Sequence, residues 1–323
     1  MPSSLELLRF NLLSPMLLAF ILGIIAVRVN SDLKIPQQAY DIISIYLLFS
    51  IGLKGGFDLA KSSLAAFTLP AIAGIGLGVL IPVVAFIILR TMGRFDSTNA
   101  AAIAMHYGGV SAVTLSTVLT VLEKANIPAE GFMPTLYTLF DLGAIISALW
   151  LASRTAALQQ SAWSTIRSAL TSKGFVLLGG GTLIGFISGD NGYALVSPVF
   201  ITAFAGVLTL FLLEMGTVVG AKLEDLRTVG GFLVVFAILM PIFNGLLGIV
   251  VGYWIGLSMG GAVVLGTLAA SASYITAPAV VKQQLPEANA GFSLTASLVI
   301  TFPFNLIVGI PLYLQIARLI YGV

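Results

Sequence analysis

The sequence contains no cysteine, and this absence removes several kinds of chemistry at once. Without Cys the chain has no disulfide framework, no iron–sulfur cluster and no thiolate nucleophile. Its single histidine argues against a zinc or haem site. A formal net charge of only +2, without a basic cluster, argues against a nucleic-acid partner.

Charge is also scarce, since only 9% of the 323 residues are Asp, Glu, Lys or Arg while 58% are hydrophobic. Soluble globular proteins carry roughly 25% charged residues, so this chain has too little polar surface to cover itself in water. The mean hydropathy is +1.06. Its apolar runs are long and continuous rather than short and alternating, which indicates an all-α membrane protein instead of a transmembrane β-barrel.

Ten apolar runs approach the length of about 20 residues that a helix needs to cross a bilayer. They are Leu8–Val29, Ala39–Leu53, Ala65–Leu89, Asn99–Leu122, Met133–Ala152, Gly174–Ser188, Leu195–Val218, Gly230–Ile255, Gly261–Val281 and Phe292–Leu319. The polar stretch Arg154–Lys173 separates the fifth run from the sixth. We therefore expect three units: residues 1–153, a cytoplasmic linker at residues 154–173, and residues 174–323.

The two sets of five runs resemble each other in short segments that occur in the same order. Ser50–Gly56 corresponds to Glu214–Gly220, Gly109–Thr114 to Ser271–Thr276, and Phe140–Leu142 to Phe304–Leu306. An odd number of crossings in each repeat would give the two repeats opposite orientations. This is the inverted-repeat architecture of many secondary transporters.

The distribution of basic residues predicts the orientation in the membrane. With ten crossings, ten of the 15 Lys and Arg residues fall on the side of the linker and five on the other side. Those five are Arg9, Lys54, Lys61, Lys124 and Arg318. Because cytoplasmic loops are rich in Lys and Arg, we expect the linker in the cytoplasm and both termini outside.

The fourth and ninth runs are each interrupted by small and hydroxylated residues. Adjacent glycines, Gly108 and Gly109, loosen the fourth, and in the ninth Pro278 lacks the N–H that would bond to Tyr274. A break in a helix frees backbone N–H and C=O groups that lipid cannot satisfy. These groups must therefore face protein or a water-filled cavity.

The two interruptions predict a binding site for a small anion and a cation. A helix that starts at a break presents N–H groups suited to an anion, and a helix that ends there presents carbonyls that suit Na⁺. We expect the anion at Gly108, Gly109, Ser111, Ala112, Ser271, Ser273, Tyr274 and Thr276. The alternative, which the sequence leaves open, is that these small residues only allow close helix packing.

Polar side chains within other apolar runs extend the candidate site. An ionised carboxylate such as Asp141 is costly in a membrane and usually functional, although it could instead only hydrogen-bond a nearby break. We expect Na⁺ ligands at Ser111, Thr114, Asp141, Ser273, Thr276 and Asn305. Glu214 is either a polar clamp or a coupling residue, and His106 is either a proton relay or a hydrogen-bonded structural residue.

At the two interrupted segments the sequence resembles the sodium-dependent bicarbonate permease family of bacteria and cyanobacteria. The resemblance extends over nearly the whole chain and includes Ser14-Pro15, Ile51–Gly56 and Tyr137–Asp141. It implies a core with two broken helices that moves against a gate, bicarbonate as substrate, Na⁺ as coupling ion and no other cofactor. It further implies a homotrimer in membrane lipid and a PII-like regulatory protein on the cytoplasmic face. The chain departs from the cyanobacterial pattern at Tyr274, where those members carry Asp.

The sequence therefore predicts a secondary active transporter of the bacterial inner membrane rather than an enzyme. Its expected activity is Na⁺-coupled symport of a small anion by alternating access, with bicarbonate the leading candidate. A proton- or sodium-coupled carrier of another small anion is the first alternative. An intramembrane enzyme and a non-transporting membrane sensor are further alternatives.

Overall fold

The computed structural model describes residues 13–153, 163, 167, 170–227, 229–274 and 276–323. Within these ranges the secondary structure is helical, with no strand. The beginning of the first predicted run, including Arg9, and most of the predicted linker at residues 154–173 lie outside the described residues. So do Ile275 and the side chain of Thr276.

Apolar helices account for nearly all of the described chain. Their bounds are α1 Pro15–Arg28, α2 Gln37–Ala60, α3 Leu64–Thr91, α4 Ser97–Gly108, α5 Ala112–Lys124, α6 Met133–Ser153, α7 Lys173–Ser197, α8 Phe204–Lys222, α9 Gly230–Trp254, α10 Met259–Ala270, α11 Thr276–Gln284 and α12 Ala290–Tyr321. Six helical stretches are long and apolar enough to cross a membrane. The protein is therefore an all-helical, multi-pass membrane protein.

Side chains at the helix starts explain why several helices begin where they do. Ser14 accepts a hydrogen bond from the Leu17 N–H at the start of α1, and Pro15 occupies the first turn. Asp96 accepts from the Asn99 N–H at the start of α4. Such caps satisfy backbone donors that have no carbonyl partner within their own helix.

Two sequence-based helix ends are wrong. The second run was expected to end at Leu53, but α2 continues through Lys54 to Ala60. The sixth and seventh runs were expected to be separated by residues 189–194. Instead, α7 continues to Ser197 with a kink at Gly189, whose φ of 55° is in the left-handed region that glycine tolerates. A π-helical turn, Pro198–Thr202, then leads into α8.

Helices α2 and α7 pack side by side in the same direction. Gly56 permits this approach, since a Cβ at that position would lie 2.1 Å from the Thr182 carbonyl oxygen. At one end of the pair Lys173 Nζ lies 3.3 Å from Asp41 Oδ1, and at the other end Lys61 pairs with Asp190. Because α2 and α7 meet start to start and end to end, they run parallel.

Helices α1 and α8 form a second parallel pair. A Cβ at Gly216 would lie 2.0 Å from the Phe20 carbonyl oxygen, and one at Gly23 would lie 2.1 Å from the Leu213 carbonyl oxygen. Arg28 and Glu224 approach to 3.8 Å where both helices end. The two pairs together are called the first bundle (α1, α2, α7 and α8).

The remaining helices form the second bundle (α3–α6 and α9–α12), which contains most of the larger apolar core. In it α3 runs parallel to α6, with Gly78 against Gly143, and α9 runs parallel to α12, with Gly245 against Tyr313. A smaller apolar cluster joins α1, α2 and α8 to α12 and to Tyr274. The interrupted helix pairs α4–α5 and α10–α11 thus lie in the second bundle, next to the first.

Candidate functional site

The structure breaks the helix at both places where small residues interrupt the apolar runs. Helix α4 ends at Gly108 and α5 begins at Ala112, with Gly109 and Ser111 in extended conformation between them. Helix α10 ends at Ala270, and Ser271 is again extended. The first break is therefore residues 109–111, and the second break is residues 271–275, of which Ile275 is not described.

Three hydrogen bonds join the second break to the first break and to the last turn of α4. The Ser273 N–H donates to the His106 carbonyl oxygen at 2.7 Å. The Ser111 N–H donates to Ser271 Oγ at 3.1 Å, and Ser111 Oγ donates to the Tyr274 hydroxyl at 3.1 Å. Residues that are about 160 positions apart in the sequence thus form a single buried polar centre.

Gly109 leaves room for the second break and for Asp141 because it has no side chain. A Cβ at this position would lie 2.6 Å from Ser273 Cβ and 3.7 Å from Asp141 Oδ1. Asp141 is only 8% exposed, and its carboxylate accepts a hydrogen bond from the Val110 backbone. The acid of α6 is therefore held against the backbone of the first break, next to a hydroxyl of the second.

Asn305 occupies the corresponding place at the second break. Its Nδ2 donates to the Ala270 carbonyl oxygen at 2.8 Å, where α10 ends, and its Oδ1 accepts from the Tyr313 hydroxyl at 2.8 Å. Both amide atoms thus have protein partners, and the residue is fully buried. In this arrangement Asn305 fixes the end of α10 relative to α12.

Hydroxyl groups at the first break provide further oxygen ligands. Ser111 Oγ accepts from the Thr114 N–H at 3.2 Å and so caps α5. Thr114 is 1% exposed, and its Oγ1 has no hydrogen-bond partner among the described residues. An unpaired buried hydroxyl costs free energy unless it finds a ligand or water, so Thr114 Oγ1 is suited to contact an ion at the break.

Tyr274 connects the breaks to the first bundle, which the sequence did not indicate. Its ring lies 5.0 Å from that of Phe302, which makes an edge contact of 5.7 Å with Phe20 of α1. Its hydroxyl meanwhile reaches Ser111. One side chain therefore links the second break, the first break and the packing between the bundles.

The sequence explanation for the second break is wrong in its detail. Pro278 was expected to interrupt the helix by failing to bond to Tyr274. In the structure the break precedes Pro278, which is the third residue of α11. The first-turn N–H groups of a helix have no carbonyl partner in any case, so proline is tolerated there. Ser273 Oγ accepts from the Ala277 N–H at 3.1 Å and helps to start the helix.

Four helix ends meet at this centre, two of each polarity. The carbonyl ends of α4 and α10 and the N–H ends of α5 and α11 converge on the joined breaks. Carbonyl, hydroxyl and carboxylate oxygens suit a hard cation, while helix starts favour an anion. The arrangement can therefore hold both kinds of ion close together.

A family model described as the Na⁺-dependent bicarbonate transporter superfamily matches residues 15–318, nearly the whole chain. The chain belongs to this superfamily. No individual curated protein matches it. Membership confirms the resemblance predicted from the sequence and makes the protein a transporter rather than an enzyme.

The two candidate coupling residues of this superfamily member lie in different surroundings. His106 is 1% exposed; its Nδ1 bonds to the Ala102 carbonyl oxygen at 2.8 Å, and its Nε2 has no partner in the part of the chain that the structure describes. Glu214 is half-buried, accepts from Thr217 Oγ1 at 3.2 Å, and lines a wide opening with Asn30 and Lys34. The structure thus brings His106 to the breaks but does not bring Glu214 there.

A hydrogen-bonded chain in the second bundle of the transporter was also missed by the sequence analysis. The Tyr107 hydroxyl lies 2.8 Å from Thr301 Oγ1, which donates to the Ala237 carbonyl oxygen at 2.7 Å. The chain connects α4, just before its break, to α12 and α9. Thr301 lies in a π-helical segment, Thr295–Thr301, and no periodicity in the apolar run predicts such a segment.

Proposed function

We propose that the protein is a Na⁺-coupled symporter of bicarbonate that works by alternating access, with anion and cation held where the two breaks meet. The observation that carries the proposal is the convergence of four helix ends, Asp141 and an unpaired Thr114 hydroxyl at one buried centre. Superfamily membership supplies the ions: Na⁺ and bicarbonate.

In this proposal the two breaks carry different parts of the binding. The start of α5, with Gly108, Gly109, Ser111 and Ala112, and the start of α11, with Ser271, Ser273, Tyr274 and Thr276, cradle the anion. Oxygens of Ser111, Thr114, Asp141, Ser273 and Thr276 coordinate Na⁺, and Asn305 supports them through Ala270. The Ser111 N–H already has an acceptor in the second break, and the Ser273 N–H donates to the His106 carbonyl oxygen of α4. Anion binding must therefore replace these two bonds.

We further propose that the chain consists of two inverted repeats of five crossings, with the second bundle as the moving core and the first bundle as the gate. The parallel pairs α1–α8 and α2–α7 support this architecture. If consecutive helices cross the membrane in alternating directions, these helices can run parallel only when the two halves of the chain have opposite orientations. Asp141 and Asn305, which correspond in the repeats, each contact the break of their own half.

The direct test is uptake of labelled bicarbonate into proteoliposomes with an inward sodium gradient. We expect uptake to rise severalfold over the same vesicles in which potassium replaces external sodium. Protein-free vesicles measure entry of dissolved CO₂, and size-exclusion chromatography establishes that the protein is folded. Sodium-independent uptake, or none, from folded protein would refute the proposal.

A proton-coupled carrier of a small anion is the second candidate, because the buried Nε2 of His106 lacks a partner next to the first break. This function would give uptake that follows a pH gradient and ignores sodium, and His106→Gln would abolish the response. The bacterial inner membrane, a homotrimer and a PII-like partner stay predictions from the resemblance.

A further inference from the structure

Lys54 lies in the Gly-rich segment Ile51–Gly56, whose glycines are explained by packing. Gly52 and Gly56 lie against α7, where added Cβ atoms would come within 2.6 and 2.1 Å of the Leu178 and Thr182 carbonyl oxygens. Gly55 similarly faces the start of α6. Lys54 is the one charged residue of this segment, and none of these contacts involves its side chain.

Two adjacent cavities open on the face of α2 that carries Lys54. The inner cavity, of about 100 Å³, lies between α2, α5 and the π-turn before α8. The outer cavity, of about 290 Å³, lies at the end of α5. Both are lined by Lys54, Leu119, Glu123 and Pro134. These four residues form a wall that both cavities share, and the two adjacent cavities are together called the passage.

The passage leads toward the first break. On its α5 wall the inner cavity is lined by Ser116, Thr120 and Glu123, which lie on one face of the helix. Ser116 is five residues after Ser111, which is about 7.5 Å along a helix that rises 1.5 Å per residue. The α5 wall of the inner cavity therefore stops at Ser116, about one and a half helical turns short of the first break.

Lys54 is half-buried in a membrane-spanning helix, yet no carboxylate of a described residue lies within 4.0 Å of its Nζ. Intramembrane lysines normally have a partner. The carboxylates around the passage are otherwise placed: Glu130 accepts from the Ser258 N–H and hydroxyl at 2.6 and 3.0 Å, and Glu123 is exposed. Asp58, four residues after Lys54 on the same helix, lines the outer cavity and interacts electrostatically with Lys54.

Two charged residues, Lys54 and Glu123, line the inner cavity, and Lys54 is the more buried of the two. Water and salt screen a charge less when it is partly buried than when it is exposed, so Lys54 acts more strongly on a bound ion than Glu123 does. A cavity of about 100 Å³ is large enough for a small oxyanion such as bicarbonate.

We propose that Lys54 forms an entry site that binds the small oxyanion before it reaches the two breaks. This inference rests on the proposed function for the direction of transport, but the site itself is a separate binding position. Lys54 attracts the anion into the passage by its charge and releases it toward α5. It determines how readily a monovalent anion enters, not how the ions are coupled.

Transport kinetics of matched lysine variants provide the first test. Lys54→Gln should raise the KM for bicarbonate about fivefold, with a maximal rate within about twofold of the parent, because a steering charge acts on capture. Lys54→Arg should restore the KM. Lys61→Gln is the control, since Lys61 lies beyond the end of the same helix and pairs with Asp190. A lower maximal rate with unchanged KM would overturn the proposal and would indicate an ion pair with Glu123 that closes the passage.

Protection of Lys54 from chemical modification tests the entry site in an experiment that does not depend on transport. The purified protein is treated with an amine-acetylating reagent, and the modification rates of Lys54 and Lys61 are measured by mass spectrometry. Bicarbonate should slow acetylation of Lys54 at least about twofold relative to an equal concentration of chloride, and leave Lys61 unchanged. If the parent shows no sodium-driven uptake but Lys54 is protected, the symport proposal fails and the entry site stands. Without protection of Lys54, the entry site is refuted whatever the uptake shows.

Discussion

At the scale of single residues, the neighbours of Asp141 support its proposed role as a Na⁺ ligand more than its charge alone does. The carboxylate is buried against Val110 and lies close to Gly109 of the first break, within the proposed Na⁺ site. Glu214 carries the same charge in a similar apolar run but lies at a wide opening on α8. The sequence predicts Asp141 as a Na⁺ ligand and Glu214 only as a polar clamp or coupling residue, and the structure gives the two acids different neighbours.

This difference predicts unequal effects of neutralising the two acids. Asp141→Asn should raise the sodium concentration for half-maximal uptake by about tenfold or more, because a charged ligand is lost from a buried site. Glu214→Gln should change it less than about twofold. Sodium titrations of bicarbonate uptake measure both values, and unfolding temperatures exclude misfolding. The opposite ranking would move the coupling site to α8.

Some residue roles could be predicted from the sequence and others could not. The hydroxyls and glycines of the breaks stand out because such residues are unusual in an apolar run. The bond from Ser111 to Tyr274 and the attachment of Tyr274 to Phe302 do not stand out, because both join residues that are distant in the chain. Pro278 was predicted to interrupt the helix because it lacks an N–H, but a proline in the first turn of a helix removes no hydrogen bond within that helix.

At the scale of helices, glycines determine which elements approach each other. The segments Ser50–Gly56 and Glu214–Gly220, paired in the sequence as repeats, contain glycines that pack onto α7 and onto α1 respectively. Close packing through small residues is how membrane helices associate, since burial of apolar surface gives little advantage in lipid. These two segments therefore contribute to helix packing in the first bundle and are not part of the breaks.

A single methyl group at Gly56 should therefore weaken the α2–α7 pair. Gly56→Ala places a Cβ 2.1 Å from the Thr182 backbone oxygen, which cannot move without displacing α7. We expect a loss of about 1–3 kcal/mol, typical of overpacking, seen as a lower apparent unfolding temperature in detergent.

Gly180→Ala in α7 is the matched control for that substitution. An added Cβ there meets no atom within 4 Å, and alanine favours helix over glycine by about 0.5–1 kcal/mol. The control should unfold at the same or a higher temperature. Equal destabilisation by both substitutions would show that packing at Gly56 is not responsible.

Helix ends were predicted well where the amino-acid composition changes sharply. They were predicted poorly where the residues at the expected end belong to a continuing helix and not to a loop. The third, fifth and eighth runs match α3, α6 and α9 to within about two residues, a normal uncertainty of helix ends. The ends expected at Leu53 and Ser188 were wrong because glycines and one lysine were read as a loop. In the structure Gly52 and Gly56 continue α2 against α7, whereas Gly189 kinks α7 without ending it.

At the scale of the whole molecule, the direction in which a helix such as α2 crosses the membrane decides which side each of its ends faces. Lys34 and Lys61 are exposed and lie before and after α2, which is long enough to cross the bilayer. The distribution of Lys and Arg predicts that Lys34 faces the cytoplasm and Lys61 the outside.

Because the chain has no cysteine, single cysteines can test this orientation without background. A membrane-impermeant maleimide applied to intact cells should label Lys61→Cys, and it should label Lys34→Cys only after permeabilisation. The parent chain should remain unlabelled throughout. The reverse pattern would invert the topology, and labelling of both variants in intact cells would contradict a crossing by α2.

The sequence by itself determined the membrane class, most of the helices and the places where two of them break. These follow from local composition, since a bilayer selects long apolar runs and exposes every interruption of them. The tertiary structure alone decided that the breaks are bonded to each other, that α1 pairs with α8 and α2 with α7, and that Lys54 faces a passage. Each of these depends on contacts between residues far apart in the chain, which the pattern along any one helix does not encode.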